Sequence, residues 1–211
     1  TTIDTGIYTI IAASDPVDAL HLNNASSYAM TSIVVINESV RNFIPLYPGW
    51  NFVSTPKKLQ NGNDTANIFS HVDTAGHSIF IFNASDQRWN TMTVNDKVRP
   101  LDGIWIYSKN PAIVKILFDE NPVQAPPSKH LTAGWNTIGF SAPVPASARD
   151  TLISVQPEWS TLIGFDAVNQ RYDTAIINGG SGSYSDYRNM YPEMGYWISM
   201  RDDDTLTAIS A

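Results

Sequence analysis

Metal or acid–base chemistry would fall first to the four histidines, at positions 21, 71, 77 and 130. His71 and His77 are the nearest pair, but five intervening residues with no further ligand beside them is not a zinc spacing. All four read as ordinary surface or half-buried histidines. A serine nucleophile needs a Gly-x-Ser-x-Gly elbow on a sharp strand-to-helix turn. The nearest run is Gly180-Ser181-Gly182-Ser183, with no strand directly ahead of it, so it reads as a turn. Glycoside hydrolysis needs two carboxylates a fixed distance apart. Among 20 acidic residues some pair always fits, so spacing selects none. There is no cysteine, which excludes disulfides, Cys–zinc sites and thiol catalysis. The expectation is a protein that is not an enzyme.

Binding chemistry has more candidates. Asp202-Asp203-Asp204 and Asn61-Gly62-Asn63-Asp64 are oxygen-rich turns of the kind calcium favours. Neither has the EF-hand spacing, and both suit plain turns. Calcium at Asp202, Asp203 and Asp204 is the one cofactor left open; otherwise none is expected. Sequons stand at Asn24, Asn37, Asn63 and Asn83, no more than chance supplies. They are glycosylation candidates in an exported protein, Asn83 least so because it opens a tight hairpin turn. Trp89, Trp159, Tyr184, Tyr187 and Tyr191 lie in or near loops and could form a sugar-stacking platform. Trp50, Trp105, Trp135 and Trp197 recur at matching places, which marks them as shared core positions.

The whole chain sets the context. Its 211 residues suffice for one large domain or two small ones. Hydrophobic residues make up 43% and charged residues 16%, against about 25% charged in ordinary proteins. Weakly charged, Ser/Thr/Asn-rich surfaces are common where proteins pack against copies of themselves or against sugar. The net charge of −7 argues against nucleic-acid binding, which needs a basic stripe. No apolar run approaches the roughly 18–20 residues that span a bilayer. The opening Thr1-Thr2-Ile3 is what an exported protein shows after leader removal, and a trimmed chain would look the same.

Three anchors occur twice in the same order. Gly49-Trp50-Asn51 matches Gly134-Trp135-Asn136. Phe82 to Trp89 matches Phe165 to Tyr172, each ending Gln-Arg-aromatic. Gly103-Ile104-Trp105-Ile106 matches Gly195-Tyr196-Trp197-Ile198. The offsets are 85, 83 and 92 residues, and surface loops tolerate such differences. Each unit predicts a strand after the Gly turn (50–54; 135–140). A short helix follows, over 64–72 with Asp64 as N-cap and over 147–155 capped by Ser147. Then comes a hairpin (78–83 with 88–94; 162–166 with 171–177). A last hairpin closes each unit, 104–108 with 113–118 and 196–200 with 206–209. Every residue from Ile104 to Tyr107 is large and apolar. Such a strand is buried on both faces, or buries one face in its unit and the other against a neighbour. The glycines ahead of these aromatic strands permit a tight turn or bulge that admits a bulky ring. Residues 119–130 carry three prolines and read as a stiff linker. Residues 1–45 loosely echo a final hairpin, a fragment of a third unit that could complete a sheet edge in this chain or the next.

The Gly-Trp-Asn strand, the hairpin ending Gln-Arg-Trp or Gln-Arg-Tyr, and Leu101-Asp102-Gly103-Ile104-Trp105-Ile106-Tyr107 resemble a tandem repeat. It belongs to S-layer or sheath-type cell-surface proteins of methanogenic archaea. Residues 46–118 carry the pattern nearly intact, and 131–210 carry it with Ala133 in place of Pro. Asn178-Gly179-Gly180-Ser181-Gly182 resembles the family's Asn-Gly-Gly-x-Gly segment. The resemblance covers about two-thirds of the chain. It implies an exported envelope protein with no catalytic motif to carry over. Members often continue into a Thr/Pro-rich stalk or anchor; this sequence shows neither, which favours a subunit held by lattice contacts.

The expected fold is all-β with one short helix per repeat. It comprises two duplicated small β-sandwich or barrel-like units plus an N-terminal β segment. The expected divisions are 1–45, repeat 46–118, linker 119–130 and repeat 131–211. The expected function is a self-assembling, extracellular structural subunit of an archaeal surface layer or sheath. Its partners would be copies of itself, without nucleic acid or a transmembrane segment. The alternative is a carbohydrate-binding or adhesive module with surface glycans as partners.

Overall fold

The computed structural model describes residues 6–13, 28–35, 42–121 and 125–208. The chain divides between Arg41 and Asn42 into two compact units. In the N-terminal unit, β1 (Gly6–Ala13) and β2 (Tyr28–Val35) pair antiparallel, from Gly6 opposite Val35 to Ala13 opposite Tyr28. Both are rich in Ile, Val and Tyr, which favour pleated backbone. The pairing recorded for these strands is with each other.

The larger unit is mostly β. Its first half contains β3 (Phe43–Leu46), β4 (Gly49–Val53), β5 (Ile79–Asn83), β6 (Arg88–Met92), β7 (Ile104–Ser108) and β8 (Ala112–Lys115). Its second half contains β9 (Ser128–Leu131), β10 (Gly134–Gly139), β11 (Ala146–Ser147), β12 (Trp159–Asp166) and β13 (Arg171–Tyr172). It continues with β14 (Ile176–Ile177), β15 (Asn189–Met190), β16 (Gly195–Met200) and β17 (Asp204–Thr207). The strands form several antiparallel sheets with one short α-helix, α1 (Ala148–Thr151).

The first half builds the order β4-β7-β5-β6 and the second β10-β16-β12-β13, with β14 added on β12. Phe52 lies opposite Trp105 and Phe80 opposite Trp105; Thr137 lies opposite Trp197 and Ile163 opposite Trp197. A separate ribbon accompanies each sheet, β3 with β8 and β9 with β17.

These ribbons correct two expectations. Residues 104–108 and 112–115 do not form a hairpin, nor do 195–200 and 204–207. Strand β7 already has β4 on one edge and β5 on the other, and β16 has β10 and β12. Neither has an edge left, so the chain crosses to pair elsewhere. Strand β3, whose residues 43–45 fall by sequence in the N-terminal segment, thereby joins the first half. The second ribbon also starts inside the expected linker, where the Ala208 N–H donates to Pro127 O (2.9 Å).

The helix expected over 64–72 is a single 3-10 turn, Ala66–Phe69, preceded by Thr65 rather than capped by Asp64. The loop 94–98 takes its place: Ala66 N–H donates to Asp96 O and Asn67 N–H to Val94 O. The Asp64 carboxylate is held by Lys97 at 2.6 Å, which lowers its pKa. The second helix starts where expected, with Ser147 Oγ accepting the Asp150 N–H (3.1 Å). It is shorter, ending at Thr151 before a 3-10 turn over Ile153–Val155.

The period-two alternation of the strands sorts two kinds of side chain. Val53, Ile104, Ile106 and Met92 face an aliphatic core within the first half, completed by Leu46, Phe69 and Ile116. Ile138, Leu162, Ile198 and Met200 do the same in the second half, around Trp159 and Phe140. The opposite faces are aromatic and meet each other: Phe52 and Trp105 pack with Phe165, flanked by Trp50, Phe80 and Trp197. Each such fully buried side chain contributes about 1.5–3 kcal/mol.

The Gly-Trp-Asn triplets have a definite local job. Gly49 and Gly134 sit at φ +102° and +92°, which only glycine adopts without strain. Asn51, 1% exposed, accepts the Tyr47 N–H (2.8 Å) and donates to the Tyr47 (2.8 Å) and Gly49 (3.0 Å) carbonyls. Asn136, also 1% exposed, makes the same three bonds with Thr132 and Gly134. The buried amide satisfies a turn whose backbone groups would otherwise be orphaned.

Candidate functional site

The hairpin β5–β6 turns through Ala84–Gln87, and β12–β13 through Ala167–Gln170. Asn83 Oδ1 accepts the Ser85 N–H (3.1 Å) and Nδ2 donates to Asp86 (2.8 Å). Asp166 accepts from the Asn169 side chain (2.7 Å) and from the Val168 and Asn169 N–H groups. The Asn169 side-chain bond first, then those N–H groups, hold the Asp166 carboxyl below the usual aspartate range. These turns leave Gln87 and Gln170 at φ +50° and +52°, uncommon for residues other than glycine.

Both glutamines reach the opposite half. Gln170 accepts the Trp50 N–H (2.8 Å) and donates to Trp50 O (2.8 Å) and to its own turn at Ala167 O (2.6 Å). Gln87 donates to Trp135 O (3.2 Å) and to Ala84 O (2.6 Å). Strands β4 and β10 are edge strands, so a side-chain amide pairs where a neighbouring strand would. Replacing Gln170 with Ala removes two bonds between halves and is expected to cost about 1–2 kcal/mol. Gln87→Ala, losing one longer bond, is expected to cost less. Urea midpoints of the two variants check the order.

Two grooves flank this clasp. The first, of about 340 Å³, is lined by Trp50, Phe80, Trp89, Trp105 and Tyr172. The second, of about 330 Å³, is lined by Phe82, Gln87, Trp135, Ile163, Tyr172 and Trp197. Tyr172 belongs to both, and no charged residue lines either. Trp89 stands edge-on to Phe82 (5.2 Å between centroids) and Trp197 (5.5 Å), and Trp135 edge-on to Trp197 (6.3 Å). Trp135, Trp89 and Tyr172 remain 39%, 48% and 56% exposed. Rings held by neighbouring rings yet open to solvent can stack on a ligand without rearranging.

The aromatic residues read from the sequence separate differently. Of the four tryptophans expected inside, Trp105 is buried, Trp50 and Trp197 are half-buried and Trp135 is exposed. Each sits on the aromatic side of its sheet, which the opposite half covers only in part. Trp159, expected in a loop platform, is fully buried as the first residue of β12. Tyr184, Tyr187 and Tyr191 are exposed but line neither groove; Tyr187 lies under the Arg149 guanidinium instead (5.2 Å). Phe80, Phe82, Tyr172 and both glutamines were not singled out. The i, i+2 spacing of the phenylalanines and the recurring Gln-Arg-aromatic were the signals that could have found them.

The other candidates stay apart. His71, His77 and His130 are exposed, and His21 lies outside the described residues. His71 lies 3.1 Å from Ile113 O, and the His77 ring packs on Tyr107 (4.4 Å) and Trp50 (5.4 Å). The Gly180–Ser183 run enters a 3-10 turn at Gly182, with Gly180 half-buried and the other three residues exposed. Asp203 accepts the Ala133 N–H (2.8 Å) and Asp204 the Thr205 N–H, so two of the three aspartates 202–204 tie turns. Asp202 is exposed. Among the described residues no group of three or more His, Cys, Asp or Glu could hold a metal. Asn63 is half-buried in its turn, the Asn83 amide is engaged on both sides, and Asn24 and Asn37 lie outside the described residues. No described helix is long and apolar enough to cross a membrane.

No protein-family model, curated protein or solved structure matches the chain.

Proposed function

We propose that this chain is an extracellular structural module of a microbial envelope, assembled from two copies of one small β-sandwich unit and built to pack with copies of itself. The reciprocal glutamine clasp carries this reading. Each of the two matching hairpins would be a poor choice for a reactive site, because its glutamine amide is spent on holding the other half's edge strand. Matching strand orders, the matching Asn51 and Asn136 bonds and the shared aromatic interface support descent from one unit. A pair locked in this way transmits force as one body.

Assembly between copies is supported by β6. It ends its sheet, and Arg88, Trp89, Asn90 and Thr91 are all exposed. An exposed edge offers unpaired backbone groups to a strand from the next molecule. Size-exclusion chromatography and electron microscopy over a range of concentration, pH and calcium are expected to show ordered oligomers. A strictly monomeric protein throughout overturns the assembly reading.

A further inference from the structure

We infer that the two aromatic grooves are subsites for a neutral glycan, each lined by residues of both halves of the larger unit. Their volumes, about 340 and 330 Å³, are at the scale of small-ligand clefts. The apolar face of a sugar ring stacks on indole and phenol rings, while its hydroxyls need polar groups or water at the rim. Trp89, Trp135 and Tyr172 offer exposed rings, and the Tyr172 hydroxyl supplies a polar group shared by both grooves.

Charge selects the ligand class. Neither groove offers a carboxylate to pair with a cationic ligand. An anionic polymer meets no lysine or arginine there, and the chain's net charge of −7 repels it. A neutral glycan incurs neither penalty. Tyr172 is common to both grooves, so one polymer chain can occupy both and gain from the raised effective concentration. This site goes beyond self-assembly and does not depend on it.

The test uses the whole chain in native affinity electrophoresis and calorimetry with soluble mixed-linkage β-glucan, galactomannan and dextran, and with alginate as the charged control. At least one neutral polysaccharide is expected to retard the protein, and alginate is not. Trp89→Ala and Trp135→Ala are each expected to weaken binding about tenfold, with thermal unfolding shifted by only a few degrees. Tyr172→Phe, which keeps the ring, is expected to retain most of the affinity. Binding by none of the three neutral polymers, equal binding of alginate, or binding indifferent to both tryptophan variants overturns the inference. If the variants abolish self-association while neutral glycans leave the protein unmoved, the grooves are contacts between copies. That result removes the glycan site and leaves the assembly reading standing. Glycan binding by a strictly monomeric protein does the reverse.

Discussion

Gly195→Ala is expected to lower the unfolding free energy by about 3 kcal/mol. The added methyl would lie 2.4 Å from Phe52 Cδ2 and 2.6 Å from Cε2. The ring has nowhere to retreat. It is 3% exposed, stacks on Trp105 at 4.6 Å between centroids, and stands 6.2 Å from Trp197. A Cβ at Gly103 would come within 2.8 Å of the same Cε2 atom. Phe52 thus packs against two glycines, one from each half. Thr137 occupies the matching position of the second half. One large ring fills the centre of the interface, so its counterpart is small.

Phe52→Ala alone is expected to cost about 3–5 kcal/mol through lost burial and the cavity left behind. In that background Gly195→Ala should cost little, because the new methyl enters the space the ring vacated. A double-mutant cycle in urea measures the difference. Strictly additive losses would mean that Phe52 and Gly195 do not share the space described.

Trp159→Ala is expected to cost about 3–5 kcal/mol and to unfold the second half's core first. The ring is fully buried among Phe140, Leu152, Val155 and Ile198. The backbone beside it is also fixed. Arg201 donates to Pro157 O and to Trp159 O (3.1 Å), and Asn178 Nδ2 donates to Trp159 O (2.9 Å). Trp135→Ala, by contrast, is expected to cost less than about 1 kcal/mol, as exposed positions usually do. Thermal unfolding of the two variants compares them directly. Similar losses would contradict the burial assigned to the two rings.

That contrast shows how far a sequence alone carries. Trp135 and Trp50 stand in a recurring triplet, which suggested an interior role, while Trp159 lies outside the recurring anchors and read as lying in or near a loop. Recurrence reports that a position keeps its backbone geometry, and here the geometry is the glycine turn tied by asparagine. It does not report which sheet face is covered. Coverage depends on the opposite half, which contacts Trp105 closely and reaches only the margin of Trp135 and Trp89.

The alternation of the strands, the turn residues and the two orders of anchors were legible because each is a local matter of backbone sterics and hydrogen bonding. They established an all-β chain with strands near 50, 80, 104, 135, 162 and 196. The crossing of β8 to β3, and of β17 to β9, was not legible. Backbone hydrogen bonding accepts any extended neighbour, and the choice fell to whichever edges remained open after β7 and β16 were enclosed on both sides. The glutamine clasp and the aromatic grooves likewise arise only where residues 120 and 48 positions apart meet. Short-range chemistry determined the strands; competition for edges and partial coverage of one face by another decided what they enclose.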